Sequence, residues 1–125
     1  MLAKANRITR GADYRAVVRR GARFTGASTV TYVRPDAGSD VVRFGFIVSK
    51  SVGNAVQRNL VRRRLKAAAY ELLPGFRSGG QGVDVVVRAL PASAQAPWAS
   101  LHEELLGASI RFSTRSHTSK GSVRP

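Results

Sequence analysis

The chain has 125 residues, 43% of them apolar, and a formal net charge of +14 from 21 Lys and Arg against 7 Asp and Glu. That is one domain's worth of sequence, apolar enough to close a modest core and too apolar for a wholly disordered chain. It has no Cys, which excludes disulfide scaffolds, Cys-based zinc sites, iron–sulfur clusters and thiol catalysis. Arg supplies 17 of the 21 cations, and such a field attracts polyanions, with nucleic acid the first candidate and an anionic membrane surface the second. Two His and seven carboxylates leave a protein-built hydrolase site little to work with. No apolar run approaches about 18 residues, so no membrane span is expected. The first seven residues lack the apolar stretch of a signal peptide, and a cytoplasmic location is expected.

In chain order, residues 13–20 place Tyr14, Val17 and Val18 at i, i+3 and i+4 before Gly21, which predicts a short helix. Residues 28–34 and 41–50 are rich in Val, Thr, Tyr, Phe and Ile and read as strands. The turn chemistry of residues 34–40 predicts that they pair antiparallel across it. A long helix is predicted from Ala55 to Leu73, with Asn54 as N-cap, Gln57 closing a capping box, and Pro74-Gly75 as its stop. Residues 74–82 hold four Gly and read as a mobile loop. Residues 83–88 form an apolar, central strand. Residues 97–112 carry Trp98, Leu101, Leu105, Ala108 and Phe112 at helical spacing. The expected division is one domain over residues 1–112 and a disordered basic tail over 113–125.

The chemistry concentrates on the long helix. At 100° per residue Val61, Leu65, Ala68 and Leu72 share the core-facing arc, and Arg58, Arg62 and Lys66 share the next. Arg63 widens that band and Arg64 lies on the other flank. Residues 50–66 contain six cations and no acid. Ordinary solvated helix faces mix signs, because like charges at i,i+4 repel. A stripe that accepts this repulsion is suited to an external polyanion, and Arg's planar fork suits phosphate. The segment Ser49 to Asn54 has two readings: a phosphate site at a helix N-terminus, or a plain strand-to-helix turn. Tyr14, Tyr32, Phe44 and Phe46 likewise read either as core or as stacking platforms for unpaired bases. Tyr14 is the best stacking candidate, beside Arg10, Arg15 and Arg19. His102 and His117 belong to no constellation of metal ligands or catalytic groups.

The run from Ser49 to Lys66, SKSVGNAVQRNLVRRRLK, closely resembles the signature of the bacterial ribonuclease P protein subunit: a strand ending in Ser-Lys, then Gly-Asn-Ala-Val, then Arg-Asn and a basic helix. Asn6-Arg7-Ile8, Ala12-Asp13-Tyr14 and the stretch Val85 to Ala92 agree with further family landmarks, so the resemblance spans roughly residues 6–112. Two positions depart from the pattern: Leu60 replaces the usual second Arg of Arg-Asn-Arg, and Val18 replaces an aromatic. The resemblance implies an α+β fold, a two-layer α/β sandwich of order αββ(β)αβα with an unusual left-handed βαβ crossover (ribosomal-protein-S5-domain-2-like). It implies an accessory subunit of a ribonucleoprotein endoribonuclease, in which the RNA performs phosphodiester hydrolysis and the protein supplies no catalytic residue.

By the same resemblance, Lys50, Asn54, Arg58, Asn59, Arg62, Arg63 and Lys66 would contact the catalytic RNA. Tyr14, Val18, Tyr32 and Arg88 would bind the single-stranded 5′ leader of precursor tRNA. No metal or cofactor would be bound by the protein alone, and Mg²⁺ would be required by the RNA-containing holoenzyme. The partners would be ribonuclease P RNA and precursor tRNA, with one protein monomer per RNA and no membrane. The competing reading is a non-catalytic RNA-binding module, such as a ribosomal or nucleoid protein. A peripheral membrane protein fits less well, since no helix sets Trp or Phe on one face against Lys and Arg on the other.

Overall fold

A computed structural model describes residues 2–77 and 80–123, with side chains placed as far as Thr114. Helix α1 (Gly11–Arg20) leads into strands β1 (Ala22–Thr25), β2 (Thr29–Asp36) and β3 (Val42–Ile47). Helix α2 (Ala55–Phe76), strand β4 (Gly82–Ala89) and helix α3 (Trp98–Val123) follow. The four strands form one sheet in the order β1-β2-β4-β3, with β4 antiparallel to β2 and parallel to β3. Strands β3 and β4 are therefore adjacent parallel strands joined through α2.

The expected hairpin between β2 and β3 does not form, because β4 lies between them. Val83, Val85 and Val87 are buried on the α2 side and Val86 on the α1 side, so both faces of this strand are covered, as in a central strand. The β2–β3 link spans the end of that central strand instead of reversing tightly. Strand β1 escapes the sequence pattern because Ala-Arg-Phe-Thr holds a single large inward apolar residue, Phe24, beside the small Ala22; it pairs with β2 through a turn closed by Gly26 N–H to the Thr29 carbonyl, 2.8 Å.

Alternation along the strands separates two cores. Val33, Phe44, Val85 and Val87 face α2 and α3, where Val61, Leu65, Ala68, Leu72, Leu101 and Leu105 meet them. The sheet and this helix pair form the sandwich. On the opposite face Val30, Tyr32 and Val86 pack against Val17 of α1 and Ile8. An ion pair ties α1 to that face. Arg43 donates to both Asp84 carboxylate oxygens at 2.9 and 2.8 Å and reaches Asp13 of α1 at 3.5 Å. The Asp84 hydrogen bond raises the Arg43 pKa above its ordinary value, with partial burial opposing it.

Helix α2 begins as its sequence dictates. Asn54 Oδ1 accepts from Gln57 N–H at 2.9 Å and Gln57 Oε1 accepts from Asn54 N–H at 2.9 Å, a complete capping box. Gly53 stands before it at φ +154°, backbone that side-chain-bearing residues rarely adopt. The helix does not stop at Pro74. It carries on to Phe76, whose ring is 2% exposed and packs edge-on against Phe44 with centroids 5.5 Å apart. That buried anchor holds the last turn against the bond Pro74 cannot donate. Ser78 and Gly79, within the loop expected after this helix, lie outside the described residues.

Helix α1 ends at Gly21, which takes extended backbone (φ −75°) rather than a left-handed cap. Helix α3 is continuous through Val123, whereas the sequence predicts a helix ending at Phe112 and a disordered tail. A docked helix extends at the gain of one hydrogen bond per residue, and Ser113–Arg115 contains no breaker. Arg124 and Pro125 of the expected tail lie outside the described residues. Glu104 fixes α3 to the start of β2. Its carboxylate accepts from Ser28 N–H, Thr29 N–H and the Thr29 hydroxyl at 2.8–3.1 Å. On the flank of α2, His102 Nε2 lies 3.7 Å from Glu71 and its ring lies 4.7 Å from that of Trp98.

Candidate nucleic-acid interface

Helix α1 covers only part of its sheet face. Beside it opens a cleft of about 370 Å³ lined by Tyr14, Arg15, Val18, Arg19, Ile47 and Arg88. Tyr14 and Val18 of α1 and Arg88 of β4, all expected by resemblance to bind the leader, thus meet in one hollow. The Tyr14 ring lies on Gly45. A Cβ there would sit 2.5 Å from the ring, so glycine is what lets the aromatic lie flat on β3. Its hydroxyl accepts from Phe46 N–H at 3.3 Å, meeting an edge-strand donor. The ring is half-buried, wedged against the sheet on one side and open to the cleft on the other.

Tyr32 does not join that site. It is 6% exposed, packed beneath α1 with Val17, Val30 and Val86, so its ring is core and not a free stacking surface. Its place on β2 points it toward the same face as the cleft, but α1 covers it. Phe44, 1% exposed, is also core, on the other face. Arg15, Arg19 and Ile47 were not among the predicted site residues. Ile47 follows from β3 alternation once Arg43 and Gly45 are known to face α1.

The basic helix face resolves into residues with different tasks. Lys50 is exposed on a 3₁₀ turn, Lys50–Val52, that joins β3 to α2. Asn54 and Asn59 are exposed, yet each spends its Oδ1 within the protein, on Gln57 N–H and on Arg62 at 3.0 Å. Arg62 also reaches the Val48 carbonyl at 3.5 Å. Arg58 is half-buried, and its Nε has no hydrogen-bond partner among the described residues. Arg64, on the opposite flank, donates to the Ala96 carbonyl at 2.8 Å and braces α2 against the segment before α3. Arg63 and Lys66 are exposed and border a second, larger hollow. Among the described residues none of these cations is paired with a carboxylate. Val56, in the first turn, is 77% exposed amid this charge.

A strand-helix surface with unpaired Arg and Lys along one helix, and a cleft holding an aromatic ring among guanidinium groups, defines an RNA-binding α+β protein. The family model for ribonuclease P matches residues 2–112. The chain belongs to the ribonuclease P protein family. It is 49% identical over 111 residues to the ribonuclease P protein component of Clavibacter michiganensis, covering 89% of this chain and 96% of that one. It is 44% identical over 112 residues to the component from Mycobacteroides abscessus, covering 84% and 85%. Among solved structures the fold is similar to the ribonuclease P proteins of Staphylococcus aureus and Thermotoga maritima. The first has a TM-score of 0.74 at 24% identity and covers 88% of this chain and 96% of that one. The second has a TM-score of 0.72 at 21% identity, covering 84% and 96%.

Proposed function

We propose that this protein, as the accessory subunit of ribonuclease P, holds the catalytic RNA on the exposed cations of α2 and the preceding turn, and binds the single-stranded 5′ leader of precursor tRNA in the α1 cleft. The observation that carries this reading is the convergence of Tyr14, Val18 and Arg88 in one hollow, apart from the cationic stripe. A base stacks on the Tyr14 ring, its backbone lies along Arg15, Arg19 and Arg88, and Val18 and Ile47 give an apolar floor. The Arg face of α2 neutralises ribozyme backbone. Leader and ribozyme are so held on one rigid body.

The chemistry belongs to the RNA. Hydrolysis with Mg²⁺ needs oxygen ligands in a cluster. Among the described residues no three His, Asp or Glu side chains come together, and the two clustered carboxylates, Asp13 and Asp84, are both engaged by Arg43. RNA phosphates fit Mg²⁺ better than this protein does. The protein acts as a monomer, one per RNA, by lowering the repulsion between leader and ribozyme and so the Mg²⁺ needed.

Reconstitution tests it. With cognate ribozyme RNA at low Mg²⁺, precursor tRNA should be cleaved by RNA plus protein and not by either alone. Tight RNA binding with no gain in cleavage would leave a non-catalytic RNA-binding module instead.

A further inference from the structure

The larger hollow lies between the N-terminal segment, the edge of β3 and α2, with a volume of about 670 Å³. Arg63, Lys66, Ala67 and Tyr70 stand at i, i+3, i+4 and i+7 on one face of α2 and form one wall. Arg7, Tyr14 and Phe46 line the other. We propose that this hollow is a pocket for an unpaired RNA nucleotide, with the base stacked on Tyr70 and the phosphate held by Arg63 and Lys66. The assignment rests on the RNA-binding role above and adds a second recognition point to it.

Four features support it. Tyr70 is 54% exposed, a large ring displayed on a cationic helix face where core packing does not call for it. Ala67, beside it, leaves room for a base. Arg7 is held in place by donating to the Leu2 carbonyl at 3.0 and 3.3 Å, and neither it, Arg63 nor Lys66 is paired with a carboxylate among the described residues. The carboxylate on the rim, Glu71, lies 3.7 Å from His102 of α3. The two walls together present three cations and one exposed aromatic ring, Tyr70, the pairing by which proteins grip single-stranded RNA. Its volume falls in the range of roughly 300–1,000 Å³ typical of small-molecule sites, ample for a base with its phosphate. A duplex buries its base faces in the stack and could not use it.

Tyr14 borders both hollows, its ring over Gly45. A strand leaving the leader cleft could turn past that ring into the pocket, and an extruded ribozyme nucleotide could enter from the α2 side. Both offer the same chemistry, and the experiment separates them.

The test uses full-length protein and its Tyr70→Ala and Tyr70→Phe variants. Equilibrium binding is measured to ribozyme RNA and, as holoenzyme, to precursor and mature tRNA, over a range of salt. Tyr70→Ala removes no charge and, from an exposed site, should leave the melting temperature unchanged. Affinity should fall about 5- to 150-fold with an unchanged salt slope, and Tyr70→Phe should restore it. A fall for ribozyme RNA assigns the nucleotide to the ribozyme; a fall for precursor but not mature tRNA assigns it to the leader. Wild-type affinity of Tyr70→Ala for all three RNAs overturns the pocket. A wild-type holoenzyme that fails to cleave precursor tRNA overturns the functional reading instead, so the two failures read differently.

Discussion

Tyr14 and Gly45 work as a pair, and their separation gives a sharp test. A base stacked on an aromatic ring contributes about 1–3 kcal/mol. Tyr14→Ala should therefore weaken precursor-tRNA binding by the holoenzyme about 5- to 150-fold, leaving mature tRNA, which has no leader, nearly untouched. Gly45→Ala should reproduce the effect without removing the ring, because the new methyl displaces it from the sheet. Equal losses for both RNAs with a depressed melting point would mean that Tyr14 serves only as core. Tyr14→Phe keeps the ring and drops one bond to Phe46 N–H, so a stability change of about 1 kcal/mol with near-normal leader affinity is expected. At this scale the sequence identified the ring but not its seat. A glycine in a strand signals close approach by something, and only the three-dimensional placement of α1 says by what. Tyr32 misled for the same reason: its residue type and alternation suit a stacking platform, while coverage by α1 depends on contacts distant in sequence.

Helix α2 was the most legible element. Its start follows from local chemistry, Asn54 and Gln57 bonding each other's backbone, and its buried arc from a 3.6-residue period. Asn54→Ala should cost about 1 kcal/mol of unfolding free energy in urea titration. Its end was less legible, since Pro74 is a local stop signal and the Phe76–Phe44 contact that overrides it is not local. Strand order was illegible for a related reason. Turn residues between two strands favour pairing of neighbours, and the insertion of β4 between β2 and β3 depends on contacts with both helix layers that are distant in sequence. The attachment of α3 is likewise non-local. Glu104→Ala leaves the Ser28 and Thr29 N–H groups without their acceptor and should destabilise by about 2 kcal/mol, measured by thermal or urea unfolding.

Over the whole molecule, the excess of 14 positive charges makes association with RNA dependent on salt. The log–log slope of affinity against salt is about −0.7 to −0.9 per phosphate neutralised. Arg62→Ala and Lys66→Ala should each flatten it by at most about one. A slope insensitive to both would mean that α2 does not touch backbone. Charge, readable from composition, pointed to a polyanion with nucleic acid first and an anionic membrane second; which side chains share one hollow required the fold. The Arg43–Asp84–Asp13 group adds little pH dependence on the alkaline side. Its stabilisation, from a raised Arg pKa, is present below the unfolded-state value and is lost only as pH climbs through the folded one, in strong alkali.

The N-terminal segment runs beside β3, with Arg7 bridged to Phe44 and Ile8 N–H bonded to the Phe44 carbonyl at 2.8 Å. A bare sheet margin is a template for a strand from another molecule, and this one carries Phe44, Phe46 and Ile47. This bridge pairs part of the margin within the protein, which should limit edge-to-edge pairing with another molecule, while the opposite margin, β1, is only four residues long. Removal of residues 1–9 should leave a chain that forms aggregates on storage, seen as rising light scattering and thioflavin fluorescence, and RNA added beforehand should delay them.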